Sequence, residues 1–233
     1  MTVWLRLACG ALLGLVGLGL VQAAEPTVDA VRFRNVGIAQ GLSQSTVRAI
    51  AEDEQGFLWF GTQDGLNRYD AYEFRAWFRD RRDPAGLRDS HITALHTSGS
   101  WLWIGTMAGG LHRMDLSKGS IQRIWPDADA KYGATITAIE PDREGAHYVA
   151  SSDALLRVNA EGEVSKVPGP PRPWVSLRAL KRLQDGRLWA GAANGLWIHE
   201  PATQAWQEWR TRRGAAYDVQ ALAQAADGSL WVG

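Results

Sequence analysis

Asp53-Glu54-Gln55-Gly56-Phe57-Leu58-Trp59-Phe60-Gly61-Thr62-Gln63-Asp64-Gly65-Leu66 decides the fold, because it returns down the chain. It comes back as Trp101-Leu102-Trp103-Ile104-Gly105-Thr106 with Gly110-Leu111, and as Gly186-Arg187-Leu188-Trp189-Ala190-Gly191 with Asn194-Gly195-Leu196. A degenerate copy runs Glu144-Gly145-Ala146-His147-Tyr148-Val149-Ala150, and Asp227 to Gly233 opens one more. Measured from Trp59 through Trp103, Tyr148, Trp189 and Trp231, the steps are 44, 45, 41 and 42 residues. A period of this length marks an array whose units bury a core only against one another.

Each unit reads as strands. An apolar or alternating run opens it, as in Val47-Arg48-Ala49-Ile50 or Ile136-Thr137-Ala138-Ile139. An Asp/Gly turn follows, then the aromatic run, a second Gly turn, a third run such as Leu111 to Asp115, and a closing run such as Ser120 to Trp125. Short period-two runs between turn residues are the signal of antiparallel strands. Four per unit make the blade of a β-propeller. The expectation is therefore all-β, with blades over 47–78, 91–125, 135–167 and 174–209 and a partial fifth over 217–233. Trp59, Trp103, Tyr148, Trp189 and Trp231 are expected to wedge between blades. Burying one indole yields a gross gain of roughly 4–6 kcal/mol from roughly 150–250 Å², an upper estimate. Gly61, Gly105 and Gly191 are expected to admit the backbone of a neighbouring blade. Asp185-Gly186 and Asp227-Gly228 read as two-residue hairpin turns.

Residues 1–24 differ in kind. Arg6 precedes an apolar run from Leu7 to Val21, and Ala23 or Ala24 offers a small residue for cleavage. This is the pattern of a secretory signal peptide. The apolar run is short for a membrane-spanning helix of about 20 residues. The only cysteine, Cys9, lies inside this leader, so the mature chain carries neither a disulfide framework nor thiol chemistry. Net charge is zero, with 25 basic and 25 acidic residues, and no basic stripe argues for nucleic acid. Arg79 to Arg82, broken by Asp80 and followed by Asp83, reads as a solvated loop tip. Residues 25–46 form a lead-in, with Val28 to Val36 alternating like the ring-closing strand of a last blade. Because the final copy stops after its second strand, the expectation is an incomplete ring, the amino-terminal part of a longer protein.

The run Gly41-Leu42-Ser43-Gln44-Ser45-Thr46-Val47, with Asp53 through Asp70, closely resembles the two-component regulator propeller repeat. The loop Asp83-Pro84-Ala85-Gly86-Leu87-Arg88-Asp89 is similar as well. The likeness weakens in the third unit, where Tyr148 stands for Trp and Ala150 for Gly, and a looser blade is expected there. The resemblance implies the periplasmic sensor of a membrane receptor whose output is a histidine kinase or a GGDEF diguanylate cyclase. It also implies inputs such as polysaccharide fragments, anchoring of the full-length protein in the inner membrane, and a homodimer as candidate assembly.

No motif carries catalysis or metal binding, and the five histidines are scattered. A ligand is expected on the face where loops between second and third strands meet the crossings between blades. Gln44, Ser45, Gln63, Asp64, Asp89, Ser90, His91, Met107, Asp153, Trp174 and Asn194 fall there. Polar tips beside an aromatic suit a small polar ligand such as an oligosaccharide. Thr62 and Thr106 are expected to bond within their blades. The chain is expected to sense rather than catalyse and to need no cofactor. The alternatives are a periplasmic propeller lyase or hydrolase and a protein-binding scaffold.

Overall fold

The structure, a computed structural model, describes residues 33–83, 85–125, 135–152, 154–210 and 218–233. The leader and residues 25–32 of the lead-in, with Asp153, lie outside them. Residues 33–36 carry no strand, and no sheet pairs with them among the described residues, so the alternation from Val28 to Val36 does not become a strand at that end.

From Val36 onward the chain builds successive antiparallel meanders. The first comprises β1 (Val47–Glu52), β2 (Leu58–Thr62), β3 (Gly65–Tyr69) and β4 (Phe74–Trp77). The second comprises β5 (Ile92–Ser98), β6 (Trp101–Thr106), β7 (Leu111–Asp115) and β8 (Ile121–Trp125). The third comprises β9 (Ile136–Pro141), β10 (His147–Ser151), β11 (Leu155–Val158) and β12 (Val164–Lys166). The fourth comprises β13 (Leu177–Arg182), β14 (Leu188–Ala192), β15 (Gly195–Glu200) and β16 (Ala205–Trp209). A two-stranded sheet of β17 (Leu222–Gln224) and β18 (Leu230–Val232) follows. Strand order in each sheet is sequential, and β1, β5, β9, β13 and β17 neighbour one another in turn. First strands thus line a common inner edge and fourth strands lie outermost. These are propeller blades in an open arc.

Three apolar clusters fill the interfaces between blades. Trp59, Leu66 and Trp77 of the first blade meet Ile92, Leu102, Ile104 and Met114 of the second. Trp103 and Leu111 meet Ile136, Val149 and Leu156. Tyr148, Ala150 and Leu155 meet Leu177, Leu188 and Ala190. The wedge expectation holds at Trp59, Trp103 and Tyr148, all buried. It fails at Trp189, which is half-buried with its Nε1 unpartnered among the described residues, and at Trp231, 69 % exposed. Trp231 lies on β18, the outer strand of the two-stranded sheet, and no further strand pairs with β18 among the described residues. At the other end of the arc Ile50 is 62 % exposed, whereas its counterpart Leu180 in the fourth blade is buried.

The glycines serve a different purpose from the one expected. A Cβ on Gly61 would lie 2.6 Å from Cγ2 of Ile92, one on Gly105 2.6 Å from Cγ2 of Ile136, and one on Gly191 2.4 Å from Cγ1 of Val219. The intruder is a β-branched side chain of the next blade, not its backbone. In the third blade Ala150 replaces Gly and shares a buried cluster with Leu177, whose Cβ is unbranched. Both residues are fully buried. The third blade is therefore repacked rather than looser.

The Asp/Gly turns are longer than expected. Leu183 and Arg187 close three residues, with Gly186 at φ +92°. Asp53 with Phe57 and Ala225 with Ser229 do the same around Gly56 and Gly228. A three-residue loop ending in a left-handed glycine suits an antiparallel hairpin as well as a two-residue one. Only the second blade uses two residues, Gly99 and Ser100, between Ser98 and Trp101. Asp53 also receives the indole Nε1–H of Trp59 at 2.8 Å, tying turn to core.

Candidate functional site on the crossing face

The turn after each second strand is braced by a hydroxyl. Thr62 Oγ1 donates to the carbonyl of Gly65 at 3.0 Å and accepts from the amide of Asp64 at 3.1 Å. Thr106 makes the same pair with Gly110 and Gly109, and Ser151 with Ala154. The structural role expected for Thr62 and Thr106 is what the geometry shows. The fourth blade has Ala192 at this place.

These turns share one face with the crossings from blade to blade. The amide of Gly65 donates to the carbonyl of Ser90 at 2.7 Å, that of Met107 to His91 at 2.9 Å, and that of Leu177 to Ser152 at 3.1 Å. The topology expected from the sequence therefore brings most of the named residues onto one surface. Many of them spend their polar atoms holding it together. Asp89 accepts from the amides of His91 (3.2 Å) and Ala108 (2.8 Å). Ser90 Oγ accepts from the amide of Arg79, and the Gln44 side chain bonds Thr46. Asn194 bridges the carbonyl of Pro173 and the amide of Val175. Gln63 is half-buried, Ser45 and Asp64 are exposed, and Met107 is 40 % exposed above Thr135, whose hydroxyl donates to the Met107 carbonyl. Trp174 is not a platform for ligand. It is buried, packs edge-on against Trp206 with ring centroids 5.2 Å apart, and belongs to the core between third and fourth blades. His91 leaves its Nε2 buried without a partner among the described residues.

A groove of about 390 Å³ opens on this face where the crossing from first to second blade runs over β8. Arg79, Arg81, Arg88 and Arg123 line it with Asp80 and Asp83. Leu87, buried at the floor, pins the crossing to the core. Beneath it His112 accepts the amide of Arg88 on Nε2 at 3.3 Å. Burial, then the guanidiniums of Arg123 and Arg88, hold the His112 imidazole down at about 4. The sequence placed Arg79 to Arg82 at a solvated tip and passed over Arg88 and Arg123. Arg123 lies on the outer strand, opposite His112, and only the β7–β8 pairing brings it to the loop.

Other histidines are core residues. His147 packs on Trp103 at 4.5 Å with both nitrogens unpartnered among the described residues, and burial, with His96 nearby, lowers it to about 4. Among the described residues, Arg68 and Arg113 make no ion pair with an acid of a neighbouring blade. Arg68 lies over Phe57 at 4.4 Å, and Arg113 lies over Trp101 at 4.3 Å while donating to the carbonyl of Ala160. Asp70 and Asp115 cap their own turns. On the opposite face a smaller cavity of about 170 Å³ lies among Asp53, Gln55, Ser100 and Ser117. Among the described residues, no three or more His, Cys, Asp or Glu side chains cluster to hold a metal ion, and no helix is long and apolar enough to cross a membrane.

Residues 41–64 match the two-component regulator propeller family. A curated relative, histidine kinase P4 of Formosa agariphila, is 38 % identical over 55 residues, covering 24 % of this chain and 4 % of that protein. Among solved structures, the extracellular domain of a hybrid two-component system from B. thetaiotaomicron superposes with a TM-score of 0.75 at 22 % identity, covering 86 % of this chain and 29 % of that one. Virginiamycin B lyase from Staphylococcus aureus superposes with a TM-score of 0.63 at 16 % identity, covering 80 % and 62 %. The matched segment is thus a small part of the curated relative and under a third of the first solved domain. The chain carries the two-component regulator propeller repeat, and its fold is that of these propeller domains.

Proposed function

We propose that this chain is the ligand-sensing propeller of a transmembrane signalling receptor, exported to the periplasm, with its output borne by a histidine kinase or diguanylate cyclase module. The observation that carries this is the regulator repeat at residues 41–64, which contributes the first two strands of a complete blade in a propeller resembling extracellular domains of two-component systems. The crossing face supplies the binding surface. Its turns are braced by hydroxyls and interblade hydrogen bonds, so a ligand meets a surface already formed. Binding there changes how blades or receptor copies pack, and a membrane helix transmits the change.

The purified chain, titrated calorimetrically with a panel of oligosaccharides, is expected to bind one class saturably and to release it unchanged by mass spectrometry. Turnover of the bound saccharide would overturn the sensor reading in favour of a propeller lyase or hydrolase. Binding of a second protein with no saccharide bound would favour a scaffold. Export predicts a mature amino terminus at residue 24 or 25, and an intact leader on the exported protein would contradict cleavage.

A further inference from the structure

The geometry points to an anion-binding subsite in the groove between the first crossing and β8, fitted to a small ligand that carries a carboxylate, sulfate or phosphate group. This rests on the crossing face being where ligand binds, and it adds the charge of what is bound.

Four guanidiniums and two carboxylates line the groove in a chain whose net charge is zero. The carboxylates are engaged by their own loop. Asp80 Oδ1 accepts from the amide of Arg82 at 2.9 Å and Asp83 Oδ1 from the amide of Ala85 at 2.9 Å. Asp89, behind the groove, directs both oxygens to backbone amides. Among the described residues, Arg79, Arg81 and Arg123 have no carboxylate partner within 4.0 Å. Some arginines elsewhere do have such partners, Arg157 with Asp142 at 2.9 Å, Arg187 with Asp185 at 2.6 Å and Arg210 with Glu208 at 2.7 Å, while Arg68 and Arg113 lie over aromatic rings instead. Two of the groove arginines are tied to the surrounding structure. Arg123 Nε donates to the carbonyl of Gly86 at 3.4 Å, and the Arg88 backbone is fixed to His112. Burial is the main reason the His112 imidazole is depressed, and the guanidiniums of Arg123 and Arg88 lower it further. Planar guanidiniums bordering one depression suit the oxygens of a carboxylate or a sulfate ester, and the fork geometry rewards two-point contact.

The test uses glucuronate and glucose, which differ at C6 by a carboxylate, with inorganic sulfate as a third probe, each titrated into the full chain. Glucuronate is expected to bind at least tenfold more tightly than glucose, and added salt is expected to weaken it. Arg123→Gln and Arg79→Gln are each expected to lower glucuronate affinity about tenfold, or about 1.4 kcal/mol. Arg187→Gln, on the opposite face, leaves it unchanged, and matched melting curves show that all variants fold. Sulfate displacing glucuronate means the groove reads the bare anion, and failure to displace means it reads the anion on a sugar. Equal affinity for glucose and glucuronate, no binding of any of the three, or indifference to both groove substitutions overturns the subsite. Saturable binding of a neutral oligosaccharide in the panel above would then leave the sensor reading standing.

Discussion

Two crossings traverse the same face and are built on opposite principles. The crossing before the second blade, residues 78–91, is anchored by one buried leucine and carries its charges outward around a groove. The crossing before the fourth blade, residues 167–176, is rich in proline and closed over the core. There Trp206 Nε1 donates to the carbonyl of Pro168 at 2.7 Å, Asn194 bridges Pro173 and Val175, Arg172 pairs with Glu208 at 3.2 Å, and Trp174 fills the space beneath. Four prolines restrict the backbone before folding, which lowers the entropy lost on ordering it. Length and location do not separate a binding loop from a structural one here. What separates them is where the large side chain goes, into the core at Trp174 or away from it at Arg79 and Arg81.

Truncating the two anchors breaks that contrast most strongly. Trp174→Ala is expected to cost about 3–5 kcal/mol and Leu87→Ala about 2–5 kcal/mol in urea denaturation. The first should leave glucuronate binding intact and the second should weaken it. The reverse pattern would assign the roles of the crossings the wrong way round.

Acid separates the crossings next. His112 is held neutral in the fold at about 4, below its ordinary 6.5. The unfolded chain takes up the proton first, so this contribution is complete above pH 6.5 and is lost as pH falls toward 4. At about 1.4 kcal/mol per pKa unit the loss is on the order of 2–3 kcal/mol. It should act at the first crossing, because protonated Nε2 can no longer accept the Arg88 amide. Hydrogen exchange at Arg88 is expected to quicken between pH 6.5 and 4 relative to the amide of Val175, which Asn194 holds without titrating. Equal acceleration at both would sink the idea.

The smallest effect belongs to Arg172→Gln. Its ion pair with Glu208 is more than half exposed on the arginine side, and such pairs contribute about 0–1 kcal/mol. A larger loss of stability would show that the proline crossing depends on charge after all.

Blade number, strand order and the shared face were legible because a repeat averages local ambiguity. Any one aromatic run is equivocal, but several in register are not. Wedges were legible at Trp59 and Trp103 and misread at Trp231, because burial depends on what covers a residue and the repeat pattern specifies only the residue. Trp174 was read as a ligand platform because a tryptophan after Pro-Arg-Pro in a loop gives no local hint of Trp206 beneath it. The groove was missed for a related reason. Arg79 and Arg123 are 44 positions apart, and a charge run read alone looks like solvated surface.

The glycine of each second strand and the branched residue that fills its hollow belong to different blades, so every interface carries a lock and a key from separate repeats. Between the third and fourth blades the lock is Ala150 and the key is Leu177. Exchanging either partner alone passes through a collision or a void. The third blade of this chain is therefore not interchangeable with its neighbours, because a permuted array would have to move Ala150 together with Leu177.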